Sequence, residues 1–187
     1  MNFHASNKMI ISWAFILLSG ASTVFLAVST INYLGFYPAL NQINARITSL
    51  VLVNASTGGH VLASVYIDNP SDYSGLMVAT IYFTTYFSNS SNVSLFQGNP
   101  LNGFQSYFTA LPAGTHVSLN ASLPLEPGQT AQLSSFYASS QRMIIGSCTL
   151  DVKVSTFLDN ALGYIDIQQS GPSVQNLQLV VTDPVRV

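Results

Sequence analysis

Charge is what this 187-residue sequence has least of. Five Lys and Arg and seven Asp and Glu make up 6% of it, against about 25% in an ordinary soluble chain. Five cations cannot build the stripe of phosphate contacts that nucleic acid demands, so nucleic acid is not an expected partner. A single cysteine, Cys148, excludes an intramolecular disulfide and a cysteine-based metal cluster. There is no G-x-S-x-G elbow, no H-E-x-x-H, no C-x-x-C and no phosphate-binding glycine loop. The reading is therefore of a protein that is not an enzyme, with no catalytic, cofactor-binding or metal-binding residues. Disorder does not follow from the low charge, because 48% of the residues are hydrophobic, including 11 Phe and 9 Tyr.

What is present is dominated by one stretch, Met9 to Tyr37, which carries no charged residue. At 1.5 Å per helical residue it reaches about 40 Å, enough to cross a hydrocarbon core of about 30 Å with some tilt. An isolated span must be helical, since lipid offers no partner to its backbone groups. A cleaved signal peptide is the main competitor, and Ala27-Val28-Ser29 imitates its cleavage site. The apolar run is, however, about twice the length of a signal core. A buried helix of a soluble core is the weaker competitor. Lys8 precedes the span and no cation follows before Arg46, which places the N-terminus in the cytoplasm by the positive-inside rule. Trp13 lies near the start of the span and Tyr33, Phe36 and Tyr37 near its exit, as rings do at headgroup depth. Pro38 either ends the helix or starts a kinked extension.

Ser19, Thr23 and Ala27 fall on one helical face with Gly20 beside them. Small residues let a second helix approach closely, and hydroxyls in lipid favour a partner. The competing reading is that such residues are simply tolerated in a span.

The remaining chain, about 150 residues, suits one domain. Its polarity comes from Ser, Thr, Asn and Gln rather than from charge. In strongly acidic surroundings carboxylates lose their charge while Lys and Arg keep theirs, so an ordinary surface becomes self-repelling. The expectation is an exported domain of an acidophile, such as an archaeon. Four N-x-[ST] acceptors, Asn54, Asn89, Asn92 and Asn120, are expected glycosylation sites, with Asn89 and Asn92 in the most turn-like run.

After Arg46 the pattern becomes short β runs: Ile47–Val53, His60–Asp68, Leu76–Phe87, Val93–Phe96, Phe104–Thr109, Thr115–Leu123, Thr130–Phe136, Met143–Phe157, Leu162–Gln168 and Val174–Val181. The segment Gln129 to Gln141 also admits a short helix. Many short strands separated by turn signals predict a mostly β chain, an antiparallel Ig-like sandwich behind one membrane helix. The expected divisions are a cytoplasmic N-terminus over 1–8, the span over 9–37, a tether over 38–46 and an extracytoplasmic domain over 47–187.

The run Val61-Leu-Ala-Ser-Val-Tyr-Ile-Asp-Asn-Pro, followed by Leu76-Met-Val-Ala-Thr-Ile-Tyr-Phe, resembles the strand, Asn-Pro, strand signature of the late-embryogenesis-abundant type 2 (LEA-2), or water stress and hypersensitive response (WHy), domain. Leu123-Pro-Leu-Glu-Pro-Gly-Gln-Thr is similar to that family's polar turn before a strand, and Cys148-Thr-Leu-Asp-Val-Lys-Val-Ser-Thr-Phe to its penultimate strand. The resemblance covers Ile47 to Gly171. It implies a seven-stranded sandwich, often behind one membrane helix, with no enzymatic site. The chain departs from it in having almost no Lys or Arg in its strands and a polar insertion around Ser88 to Ser94.

Isolated residues invite chemistry without compelling it. His60 and His116 are either ligands brought together by folding or separate edge histidines, and the second reading is favoured. Asp68 and Asp72 flank the Asn-Pro turn; two carboxylates are few for calcium, so capping of the turn is the better reading. Cys148, among Ile144, Ile145 and Leu150, reads as a buried inert thiol. Asp151 and Lys153 share a strand face as a surface pair.

The functional expectation is a non-catalytic accessory or stabilising subunit of a larger membrane complex, for instance an archaeal respiratory or sulfur-oxidising one. Its expected partners are lipid and other integral membrane proteins. The alternative is a cell-surface structural protein, an S-layer anchor or filament subunit, self-associating by strand addition through its final run Val174 to Val187.

Overall fold

The computed structural model describes residues 3–53, 59–89, 91–139, 143–156, 167–170 and 175–182. The chain is mostly β behind a single long helix, α1 (Phe3–Leu40). Among the described residues eight strands follow: β1 (Asn44–Val53), β2 (His60–Asn69), β3 (Leu76–Asn89), β4 (Leu101–Leu111), β5 (Thr115–Pro124), β6 (Ile144–Thr156), β7 (Ile167–Ser170) and β8 (Gln175–Thr182). A second helix, α2 (Pro127–Ser139), stands between β5 and β6.

The strands run in the order β4-β3-β6-β8-β1-β2-β5, with β7 paired to β6. All pairs are antiparallel except β1 with β8, which is parallel. The first half of β8, Gln175–Gln178, pairs with β6 and its second half, Leu179–Thr182, with β1, so one short strand passes between the two halves of a sandwich that is nearly a barrel. Across the opposite gap the Tyr107 hydroxyl on β4 donates to the Asn120 carbonyl on β5. Burial alternates along β2, with Val61, Ala63, Val65 and Ile67 fully buried, because a period of two puts every second side chain on the inner face. Phe83, Phe87, Leu50, Leu52, Ile81 and Leu179 complete the centre.

Each end of the sandwich is stoppered by a helix. At the far end α2 inserts Leu133, which is fully buried. This corrects the expected strand Thr130–Phe136. Pro127 starts the helix, where its missing N–H costs nothing, and Gln129 Oε1 accepts the Glu126 N–H at 3.0 Å as an N-terminal cap. Val93–Phe96 is not a strand either: Ser94 forms an isolated bridge to Ser88, and a 3-10 turn follows at Phe96–Gly98. Of the expected strand Leu162–Gln168, residues 162–166 lie outside the described residues.

At the near end α1 itself is the stopper. The helix does not end at Pro38 but continues to Leu40, closing with Gln42 N–H to Ala39 O at 2.9 Å. Phe36, Ala39, Leu40 and Ile43 follow helical spacing, and all four belong to the sandwich core. Burying Phe36 completely contributes about 1.5–3 kcal/mol, which outweighs one backbone hydrogen bond lost at Pro38.

Candidate functional site

The strongest constellation in the molecule is the seam where α1 meets the sandwich. Residues 9–28 of the helix are exposed throughout, about 30 Å of apolar rod. From Ser29 on, part of the helix is buried, and Asn32, Gly35 and Phe36 meet Tyr73 of the β2–β3 connection. Lys8–Leu40 is long and apolar enough to cross a membrane.

Tyr73, in that connection, holds the seam. Its ring meets Phe36 edge-on, centroids 6.3 Å apart, and its hydroxyl donates to Asn32 Oδ1 on the helix. A Cβ on Gly35 would stand 2.8 Å from Tyr73 Cδ2, so the ring seats against the helix only because position 35 has no side chain. Behind Tyr73, the fully buried Asn69 ties the near-end loops together. Its amide N–H groups reach the carbonyls of Tyr73 at 2.9 Å and of Leu111 and Pro112 at 3.1 Å each. Its Oδ1 accepts from the Ser71 N–H at 3.1 Å and the Ser71 hydroxyl at 2.6 Å. The Asn-Pro dipeptide is thus more than a strand breaker: it joins the β2–β3 connection to the β4–β5 turn. Ser29 Oγ and Asn32 Nδ2 are buried in the same seam and make no hydrogen bond.

The helix residues expected to pack, Ser19, Gly20, Thr23 and Ala27, lie on the exposed stretch. A Cβ on Gly20 would meet nothing within 4 Å. The Thr23 hydroxyl donates to Ser19 O at 2.9 Å, so this face offers close approach rather than an unmade hydrogen bond. Of the expected exit rings, Tyr37 is exposed, but Phe36 is buried in the sandwich and does not face headgroups.

The expected glycosylation sites are spread over the domain. Asn92 is exposed on a turn. Asn89 uses its Oδ1 to accept the Ser91 and Val93 N–H groups at 2.9 and 2.8 Å. Asn120 is exposed on β5, where its Oδ1 accepts the Ser64 hydroxyl at 2.9 Å, and Asn54 lies outside the described residues.

The two histidines are not brought together. His60 pairs with Pro124 at one end of β2, whereas His116 pairs with Asp68 near the other, about 26 Å away along the strand. His116 instead stacks on Tyr66, centroids 5.0 Å apart, with Arg46 5.1 Å from the same ring. No group of three or more His, Cys, Asp or Glu that could hold a metal occurs among the described residues. Asp72 is exposed on the loop at the seam, and Ser71 and Tyr73 rather than carboxylates do the local bonding. Cys148 is buried opposite Thr85, its thiol donating to Thr85 Oγ1 at 3.3 Å; burial pushes the thiol up and that hydrogen bond offsets part of the rise. Of the final run, Gln175–Gln178 pairs with β6 and Leu179–Thr182 with β1, so each described residue already has a strand partner; Val174 and 183–187 lie outside the described residues. Tyr73, Asn32 and Gly35 escaped the sequence reading, though a glycine inside an aromatic helix end was a usable signal.

No family model matches the chain, and no curated protein matches it in sequence. Solved structures similar to it include a crystal structure of a protein from Archaeoglobus fulgidus, 9% identical, covering 76% of this chain and 98% of that one with a TM-score of 0.43. A solution structure from Arabidopsis thaliana is 14% identical over 75% of this chain and 83% of its own, at a TM-score of 0.43. A third, ascribed to the late embryogenesis abundant proteins, is 14% identical over 92% and 88%, at 0.38. A late-embryogenesis protein therefore stands among the structural neighbours, and at these values no activity, ligand or partner transfers to this chain.

Proposed function

We propose that the chain is a non-catalytic, single-pass membrane protein whose β domain stands outside the cytoplasm as an accessory or stabilising subunit of a larger membrane assembly. The observation that supports this best is the seam. Because Phe36, Ala39 and Leu40 are part of the sandwich core, whatever grips the rod below also fixes the domain above. The bare face around Gly20 offers a neighbouring helix a place to approach.

Lys8 below the rod and the N-x-[ST] acceptors above it are the grounds for a cytoplasmic N-terminus, an extracellular domain and glycans at Asn54, Asn89, Asn92 and Asn120. The sequence poor in charge is the ground for an acidic exterior, hence for an acidophile, an archaeon with a respiratory or sulfur-oxidising complex. The LEA-2 or WHy assignment rests on the Asn-Pro motif. Strand addition through the final run is the less economical reading, because it requires β8 to leave two partners.

The test is affinity purification of the full chain in mild detergent, with identification of what travels along. An integral membrane protein should co-purify, and Gly20→Leu, which fills space open in this chain, should release it. A chain that purifies alone, or that an alkaline wash strips from membranes, overturns the proposal.

A further inference from the structure

Away from the seam, the outward face of β3, β4 and β6 keeps aromatic rings in water. Tyr82 and Phe104 are directly opposite in the ladder, with centroids 4.8 Å apart and planes tilted by 41°, and they remain 37% and 49% exposed. Exposed rings clustered within a polar rim mark a site of binding. Here the rim is Thr84 with Asn102, hydrogen-bonded at 2.8 Å, then Asp151, opposite Tyr82 on β6, and Lys153, whose Nζ is 5.5 Å from the Tyr82 centroid. These groups border a hollow of about 300 Å³, the lower end of the range for ligand pockets. Its floor is the backbone of Gly103 over the ring of Phe83. A Cβ at position 103 would stand 2.0 Å from Phe83 Cε1, so the floor exists only with glycine there.

We infer that this hollow binds a neutral saccharide, its C–H face against the Tyr82 ring that lines it and its hydroxyls bonded by Asp151, Asn102 and Thr84. Among the described residues lining the hollow, one is anionic and one cationic. A phosphate would meet the Asp151 carboxylate, a cation would meet the Lys153 ammonium, and a ligand without net charge meets neither penalty. Each sugar hydroxyl donates and accepts, which suits a rim that mixes a carboxylate, an amide and a threonine hydroxyl. A peptide added as a strand is disfavoured, because the backbone groups of β3 are already used by β4 and β6. The inference goes beyond the accessory-subunit reading and does not depend on it.

The test is titration of the full chain, in a detergent without a sugar headgroup, with mannotriose, maltotriose and galactobiose, read by saturation-transfer NMR and calorimetry. Saturable binding of at least one is expected. Tyr82→Ala should weaken it by about tenfold, the loss of one stacked ring, and Phe104→Ala, which removes the ring packed beside Tyr82 rather than one lining the hollow, should weaken it less. Tyr82→Phe, which keeps the ring, and Phe108→Ala, on the same face but outside the hollow, should bind as wild type. No saturable binding at millimolar sugar, or equal binding by all four variants, overturns the inference.

Discussion

Replacing Asn69 tests the near end of the sandwich most sharply. Asn69→Ala removes a fully buried amide whose hydrogens serve three carbonyls and whose oxygen accepts twice from Ser71. At the least, the Leu111 carbonyl and the Ser71 N–H lose this partner in a buried setting. Each such group costs about 1–3 kcal/mol, so the loss should be about 2–6 kcal/mol. That is a large share of the 5–15 kcal/mol roughly typical of a domain. Guanidinium unfolding of the full chain in micelles, followed by the near-ultraviolet dichroism of the tyrosines, reads this loss. Asn69→Asp separates hydrogen bonding from shape. Its carboxylate would face three carbonyl oxygens with no hydrogen to give, so its folded-state pKa should rise above the ordinary value of about 4. The native variant then holds a proton that the unfolded chain has released, and stability falls as pH rises through the carboxyl range. The deficit of Asn69→Asp against wild type should be large at pH 7 and shrink toward pH 3, where the protonated acid regains one donor. A loss under about 1 kcal/mol for Asn69→Ala, or a deficit in Asn69→Asp that does not shrink in acid, would refute the reasoning.

Other perturbations probe the remaining parts. Gly35→Val should loosen the helix from the β2–β3 connection, since even a Cβ there lies 2.8 Å from Tyr73 Cδ2; faster proteolysis of that connection, relieved in the Gly35→Val, Tyr73→Ala double variant, is the readout, and wild-type resistance contradicts it. For Cys148 the thiol is pushed up by burial, so the native state keeps a proton that the unfolded chain gives up above about pH 8.5. The stability advantage of wild type over Cys148→Ala should therefore be complete below that pH and decline above it; a constant gap from pH 7 to 10 counts against the assignment. Finally, a chain with only 6% charged residues should keep its circular dichroism and solubility unchanged between about pH 2 and pH 7, whereas unfolding across the carboxyl range near pH 4 removes the basis for an acidic habitat.

Much of the fold was legible because its signals are periodic. Alternation in His60–Asp68 and an apolar run without charge leave little choice of element. Where the sequence reading went astray, tertiary packing had the deciding voice. Pro38 left open whether the helix ended or went on, and it goes on to Leu40 because the open base of the sandwich buries Phe36, Ala39 and Leu40. In α2 the cues were present in Pro127, Gln129 and the spacing of Leu133, Phe136 and Tyr137, but the aromatic content of the segment imitated a strand. The seam was hidden for another reason: Asn32, Gly35 and Tyr73 form one contact set only after residues about 40 positions apart meet. The pairing of Tyr82 with Phe104 likewise depends on strand register.

If helix and sandwich form one rigid body, the distance between a point on each takes a single value. Spin labels at Val24→Cys on the rod and Ser106→Cys on β4, both exposed positions, can be placed in the full chain in lipid nanodiscs, where the buried native Cys148 is shielded from labelling. A single narrow distance distribution is expected, broadening when Tyr73→Ala is added. A broad distribution in the otherwise unaltered chain, as a flexible tether would give, contradicts it.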